Sequence, residues 1–383
     1  MTDKPANMSG TEAAVNRSSQ REVYIKVVFT KIGEIETMKE QYHADICVQA
    51  RWKEKSLDHS TNSDKDVNFS QYWDPKLSIQ NKMGTPKQSS WKVVRYGKEM
   101  EAYIVQKFQI KGIFSENLEL QDFPFDIQKL SVIITSELPD KDLKLVEDDK
   151  DLSLINVQCF VDAQEWTLYD YTETIPWVTT KEQFLETTVV SFPGIAVSCT
   201  AARRSGFFIW NIMLMMFMIS SLSITTFAVD RILPQNRLQL SLTLVLVAVT
   251  FRFVANQILP KISYLTILDQ YILTNMTFMY LVCIWHAVIS LFDYDKELAG
   301  DMDYYAFITL ISSYGAFQLI YTILVILKRY SKGKLLDQKV LQYNAKAKSV
   351  MGESWMNNRE EKGRRMRARR ARRIGITHHA RPV

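Results

Sequence analysis

The sequence predicts an all-β sandwich domain of immunoglobulin-like type, carried on a bundle of four transmembrane helices. Three observations predict it. Charge is dense up to Arg204, almost absent from four later blocks, and dense again after Leu327. Each block matches the ~20 apolar residues a helix needs to cross a ~30 Å hydrocarbon core. Ahead of them, short period-two or aromatic-rich runs alternate with turn clusters, the pattern of a sandwich. A mean hydropathy of −0.12 with 23% charged residues looks soluble only because it averages over two solvents.

Residues 1–21 read as an N-terminal extension. Its opening, MTDKPANMSG, has no apolar core, so an exported domain is expected to have had a leader removed or replaced before this numbering. The Asn-x-Ser triplets at Asn7, Asn16 and Asn68 are compatible with export, though such triplets are common by chance. Strands are expected within 22–206, at 23–29, 42–52, 103–113, 130–135, 159–171 and 189–201, with turns at 58–68 and 84–90.

The membrane blocks are 207–229, 238–260, 270–292 and 304–327; the second carries only Arg252 and the third only His286. In lipid only helices or closed barrels satisfy the backbone, and the short connections force antiparallel neighbours. Segment 328–383 holds seventeen Lys and Arg against four Asp and Glu. It reads as a solvated basic tail, with anionic lipid as an alternative contact and no nucleic-acid partner.

The second block differs from the others. Steps of four and three residues select Gln239, Thr243, Leu246, Thr250, Phe253 and Gln257, one stripe of a helix. A lone helix gains nothing from a polar stripe in lipid. Surrounded by copies of itself, the stripe would line water, with Leu246 and Phe253 forming rings that dewet the closed path. The alternative is that its Thr and Gln side chains bond neighbouring helices inside one bundle. Arg252 falls off the stripe and is expected to snorkel or to pair between subunits.

Other chemistry is poorly supported. Only His43 and His59 lie in the β domain, with no nucleophile elbow, phosphate loop or CxxC spacing, so neither an enzyme nor a cofactor is expected. Cys47, Cys159, Cys199 and Cys283 give no assignable disulfide pairing. The run Glu147-Asp148-Asp149 with Asp151 could attract a divalent ion, but reads first as a solvated loop.

Three motifs then carry a resemblance: Trp73-Asp74-Pro75 followed by Asn81, Phe123-Pro124-Phe125-Asp126, and Glu165-Trp166-Thr167-Leu168-Tyr169-Asp170-Tyr171. With Arg237-Leu238-Gln239 through Ile258-Leu259-Pro260 and on to Asp269-Gln270, they resemble the pentameric ligand-gated ion channels, also called Cys-loop receptors. The likeness covers about 23–327 and fits an animal-type or bacterial-like member lacking the loop disulfide, since Glu116 and Leu130 stand where two cysteines flank the Phe-Pro loop in most animal members. The resemblance implies a homopentamer around a central pore, hence four further subunits, a small-molecule agonist, membrane lipid around it, and a multi-pass plasma-membrane protein with both termini outside.

The resemblance also implies residue roles. Asp126 is expected to pair with Arg203, tying the base of the β domain to the bundle, with Phe123, Pro124 and Phe125 pressing on the loop after Pro260. Matching binding positions are Cys47, Gln80 and Glu137, with Trp177 and Phe184 in the capping loop. With few aromatic walls, such a pocket is not expected to favour a quaternary amine. Likeness to bacterial cation channels points to cations, although Pro234-Gln235-Asn236 supplies no carboxylate before the pore helix. An anion-selective channel, or an accessory subunit needing partners, remains the alternative.

Overall fold

A computed structural model describes residues 20–59, 67–97, 99–181, 190–230, 232–257, 262–292 and 296–357. Among the described residues, ten strands form two facing sheets. The first contains β1 (Arg21–Glu36), β2 (Gln41–Lys53), β4 (Lys82–Tyr96), β5 (Ala102–Ser115) and β7 (Leu143–Glu147), in the order β4-β5-β2-β1-β7, with the short β8 (Leu154–Ile155) also on β1. The second contains β3 (Leu77–Ile79), β6 (Ile127–Ser136), β9 (Trp166–Lys181) and β10 (Val190–Arg203), in the order β3-β6-β10-β9. Alternate residues of β1 and β2 point inward, so Val23, Ile25, Val27, Phe29, Ile46 and Trp52 are buried together, as period-two patterning requires.

Two sequence expectations change here. The supposed turn at 84–90 lies within β4, where the register to β5 slips between Met83 and Lys87 and Gly84 takes φ +61°. The turn residues therefore mark a β-bulge, which uses the same left-handed backbone. The expected strand 159–171 begins only at Trp166, because Val157–Cys159 forms a short 3-10 turn capped by the Asn156 side chain.

Among the described residues, four helices are long and apolar enough to cross a membrane: Gly206–Ala228, Pro234–Asn256, Ile267–Ile289, and a fourth within Lys296–Met351. Starts fall ahead of the charge-free blocks for physical reasons. Pro234 occupies the first turn of the second helix, where its missing N–H costs nothing. Thr266 and Asp269 close a reciprocal capping box on the third, so Asp269 is part of the helix rather than a connection. The first, third and fourth helices share a polar knot: Ser220 Oγ donates to Asn275 Oδ1 at 2.9 Å, Gln318 Nε2 to the same oxygen at 3.0 Å, and Tyr271 Oη to Gln318 Oε1 at 3.2 Å. Such bonds hold helices together where apolar packing gains nothing over lipid.

The largest departure concerns the C-terminal segment. The fourth helix runs 56 residues, roughly 84 Å at 1.5 Å per residue, far more than a bilayer needs. Past Leu327 it climbs the outside of the β domain. Leu336, Val340, Tyr343, Ala347 and Val350 form its apolar seam against Ile127, Leu152, Tyr169 and Tyr171, and Tyr343 Oη donates to the Ser153 carbonyl at 2.6 Å. The expected solvated tail at 328–383 is thus a packed helix up to Met351. Its basic residues flank the seam and masked it: Lys339 pairs with Glu173 at 2.6 Å and Lys346 with Glu147 at 2.7 Å.

Candidate functional site

The second helix turns one narrow face to its own bundle. Arg237, Ser241, Ala248 and Ala255 are buried there, small residues at three of the four positions permitting close approach. The six stripe residues Gln239, Thr243, Leu246, Thr250, Phe253 and Gln257 all lie on the exposed side. Thr243 and Thr250 return their hydroxyl protons to their own helix, to the Gln239 and Leu246 carbonyls at 2.7 and 2.9 Å. Among the described residues none of the six bonds to a neighbouring helix. Leu246 and Phe253 are 65% and 66% exposed, so each presents a large apolar side chain that this protomer does not cover. Arg252 is half-buried and has no ion pair among the described residues.

The junction between sandwich and bundle is built on Asp126. Arg203, the last residue of β10, reaches it with Nε to Oδ1 at 2.8 Å and Nη2 to Oδ2 at 3.2 Å, while Gln128 Nε2 adds 2.8 Å. Both partners are almost solvent-free, with side chains 5% and 1% exposed. The guanidinium also sits 4.1 Å from the Trp166 ring centre and 4.9 Å from that of Phe123. Only Arg204 and Ser205 separate β10 from the first helix, so this pair holds the point where the two parts join.

The Phe-Pro loop is bonded directly to the bundle. Leu268 N–H donates to the Phe123 carbonyl at 3.2 Å, Ile267 N–H to the Gln121 carbonyl at 3.1 Å, and Leu120 N–H to Tyr264 Oη at 3.0 Å. The Phe123 ring meets Phe208 of the first helix edge-on at 4.6 Å, Pro124 is buried beside it, and Phe125 is half-buried. Pro260 lies outside the described residues. Lys328 and Lys332 of the fourth helix both pair with Asp122. In place of a flanking disulfide, Glu116 accepts from Ser131 N at 2.6 Å and from Ser131 Oγ at 2.5 Å. Burial pushes the Glu116 carboxyl up, against the lowering effect of those bonds.

The candidate ligand residues separate by sheet. Gln80, Glu137 and Trp177 lie on or beside the second sheet, where Thr179 Oγ1 donates to Gln80 Oε1 at 3.0 Å. Trp177 crosses Gly194, where a Cβ would be tightly placed, 3.1 Å from the indole and 3.2 Å from Thr135, so that these neighbours would have to give by a few tenths of an ångström. Cys47 sits on β2 of the other sheet, so one protomer does not gather all of these positions. Phe184 lies outside the described residues. Asn81 explains its own motif: its amide donates to the Ser131 carbonyl at 2.8 Å and accepts from Ile133 N–H at 3.1 Å, locking the turn after β3 to β6.

Several contacts were not foreseen from sequence. Asp122 and Tyr264 had no motif to mark them. Arg237 is buried at the end of the bundle away from the sandwich, paired with Asp303 at 2.8 Å and donating to the Val229 carbonyl at 2.7 Å. Its sequence signal was a charge next to an apolar block, 66 residues from its partner. Three of the four acidic residues of the run pair with cations: Asp148 with Arg51 at 2.7 Å, Asp151 with Lys26 at 2.5 Å, and Glu147 with Lys346. A family model described as neurotransmitter-gated ion-channel ligand binding domain matches residues 9–198, which contain the Phe-Pro loop, Asp126 and most of both sheets.

Proposed function

The chain belongs to the pentameric ligand-gated ion-channel superfamily, and on that premise we propose that it is one subunit of a homopentamer whose second helices line a cation-conducting pore. The observation that carries the reading is the second helix. Its amide- and hydroxyl-bearing stripe faces away from the bundle, with Leu246 and Phe253 exposed on it. Five copies facing one axis would give Gln and Thr rings that tolerate hydrated ions and two apolar rings that dewet the closed path.

Gating follows from the junction. An agonist held between Gln80, Glu137 and Trp177 of one subunit and Cys47 of the next would shift β9 and β10. Arg203 ends β10, so the shift reaches Asp126, and through the Phe123 carbonyl it reaches the start of the third helix. A ligand that prefers one arrangement of this junction shifts the population toward it. On this reading the chain is a multi-pass protein of the plasma membrane with the sandwich outside, which the four membrane-capable helices support.

Expression of this chain alone in oocytes, with agonist screening under voltage clamp, tests the proposal. Agonist-evoked current whose reversal potential follows the cation gradient supports it. Reversal at the chloride potential overturns the selectivity, and surface expression without current favours an accessory subunit.

A further inference from the structure

Two Asn-x-Ser/Thr triplets fall among the described residues, Asn68-Phe69-Ser70 and Asn275-Met276-Thr277, and the structure separates them. Asn275 is fully buried in the third membrane-capable helix. Its Nδ2 donates to the Tyr271 carbonyl at 2.8 Å, and its Oδ1 accepts from Ser220 and Gln318 in the polar knot. Packing between helices therefore accounts for that asparagine, and hydrocarbon would surround the helix that carries it. Asn68 is the opposite case. It is exposed, as is Ser70, while Val67 and Phe69 pack onto the sandwich core.

The bonding of Asn68 lies wholly on its oxygen. Ser70 donates to Asn68 Oδ1 from its hydroxyl at 2.6 Å and from its backbone N–H at 3.2 Å. The amide nitrogen keeps both of its protons and has no partner among the described residues. The position in the fold is also distinctive. β2 and β5 come nearest the Phe-Pro loop at their Gln41–Ser115 end, so Trp52 and Lys53 mark the end farthest from the bundle. Trp73 anchors this stretch of chain there, edge-on to Trp52 at 6.0 Å, with the Arg21 guanidinium 4.9 Å over its ring. A bulky group on Asn68 would stand clear of the junction and of the membrane.

We propose that Asn68 is a covalent modification site that accepts an N-linked oligosaccharide, and that Asn275 is not. In the transfer, Asn68 Nδ2 attacks the anomeric carbon of an oligosaccharide carried on a lipid diphosphate. The new bond joins nitrogen to that carbon, the bond from the carbon to the diphosphate oxygen breaks, the lipid diphosphate leaves, and the amide gives up one proton. The motif requires a hydroxyl two residues on, and Ser70 Oγ already touches the amide that would be modified. Glycosylation requires the sandwich to face outward, the reading given under the proposed function, because such carriers are used on the lumenal side of the secretory pathway. It does not depend on whether the chain conducts.

The test is expression of the full-length chain in human cells, with intact cells first treated with a membrane-impermeant maleimide. The protein is then purified, its N-glycans are released enzymatically in heavy-oxygen water, and its peptides are mapped by mass. Release turns a glycosylated asparagine into labelled aspartate, so the label reports the position itself. Free, exposed Cys159 reports the side, since maleimide on it places the sandwich outside. Heavy oxygen is expected at position 68 in the wild type and in Ser70→Thr, and none in Ser70→Ala, which leaves Asn68 in place but removes the hydroxyl. Maleimide on Cys159 with position 68 unlabelled overturns the proposal while the outward reading stands. Neither label overturns both. Heavy oxygen at position 275, or at position 68 in Ser70→Ala, overturns the structural distinction between the two triplets or the role given to Ser70.

Discussion

Replacing Asp126 by Ala is the sharpest perturbation of the junction. The carboxylate accepts two bonds from Arg203 and one from Gln128, and its removal leaves a guanidinium 5% exposed without a counter-charge. Breaking a buried pair from one side costs about 3–5 kcal/mol. For a sandwich of this size each kcal/mol moves the midpoint by ~2–4 °C, so the loss is on the order of 10 °C. The assay is fluorescence-detected size-exclusion chromatography of full-length protein after heating, on Asp126→Ala, Arg203→Met and the double variant. Removing both charges removes the stranded cation, so the double variant is expected to lose clearly less than the two single losses added together. Under voltage clamp, Asp126→Ala should reach the surface yet respond weakly to any agonist that opens the wild type. Strict additivity of the two losses, or intact gating in Asp126→Ala, would refute the assignment of this pair as the coupling link.

The remaining predictions concern three other places. Leu246→Ser removes an apolar ring from the proposed pore and should give a standing current without agonist; an unchanged resting conductance removes Leu246 as the gate. Glu116→Gln keeps an acceptor for Ser131 without a buried charge. Because the folded Glu116 carboxyl is pushed up, the wild type loses stability as pH rises through the ordinary and then the raised value. The Gln variant should therefore melt higher at neutral pH, with the gain vanishing in acid, whereas Glu116→Ala should cost about 1–3 kcal/mol. For Asp122 and Glu173 burial raises the carboxyl, but the Lys328 and Lys332 ammonium groups, and those of Lys339 and Lys129, outweigh it and hold both low. Such pairs contribute fully above the ordinary carboxylate value near ~4 and are lost as pH falls below it. Hydrogen exchange over residues 336–351 should thus stay slow at neutral pH and accelerate only in stronger acid. Leu336→Asp should accelerate it at every pH, and slow exchange in that variant would show that the seam does not hold the helix.

How much was legible depended on the range of the signal. Alternation in β1 and β2 and the four apolar blocks are local, so they could be read from neighbouring residues. The Phe-Pro loop and Arg203 were legible as motifs, although their bonds to Leu268 and Tyr264 were not. Turn residues at 84–90 misled because a bulge and a turn draw on the same backbone conformation, and only the partner strand distinguishes them. Asp269 misled because a charge at a helix start and a charge in a loop look alike until the cap is formed. At 328–351, composition pointed to solvent while the spacing of Leu336, Val340, Tyr343, Ala347 and Val350 carried the opposite message, and the charges dominated the reading.

Period, length and charge along the chain determined the sandwich, the number of spans and the stripe on the second helix, because each is a property of residues a few positions apart. Only the tertiary structure decided which carboxylate faces which cation, that Asp122 serves the fourth helix, that Arg237 is buried against Asp303, and that the basic extension returns to the sandwich. Those choices join residues from 66 to 210 positions apart. At such separations one charge in sequence fits many partners, and packing of the whole chain selects among them.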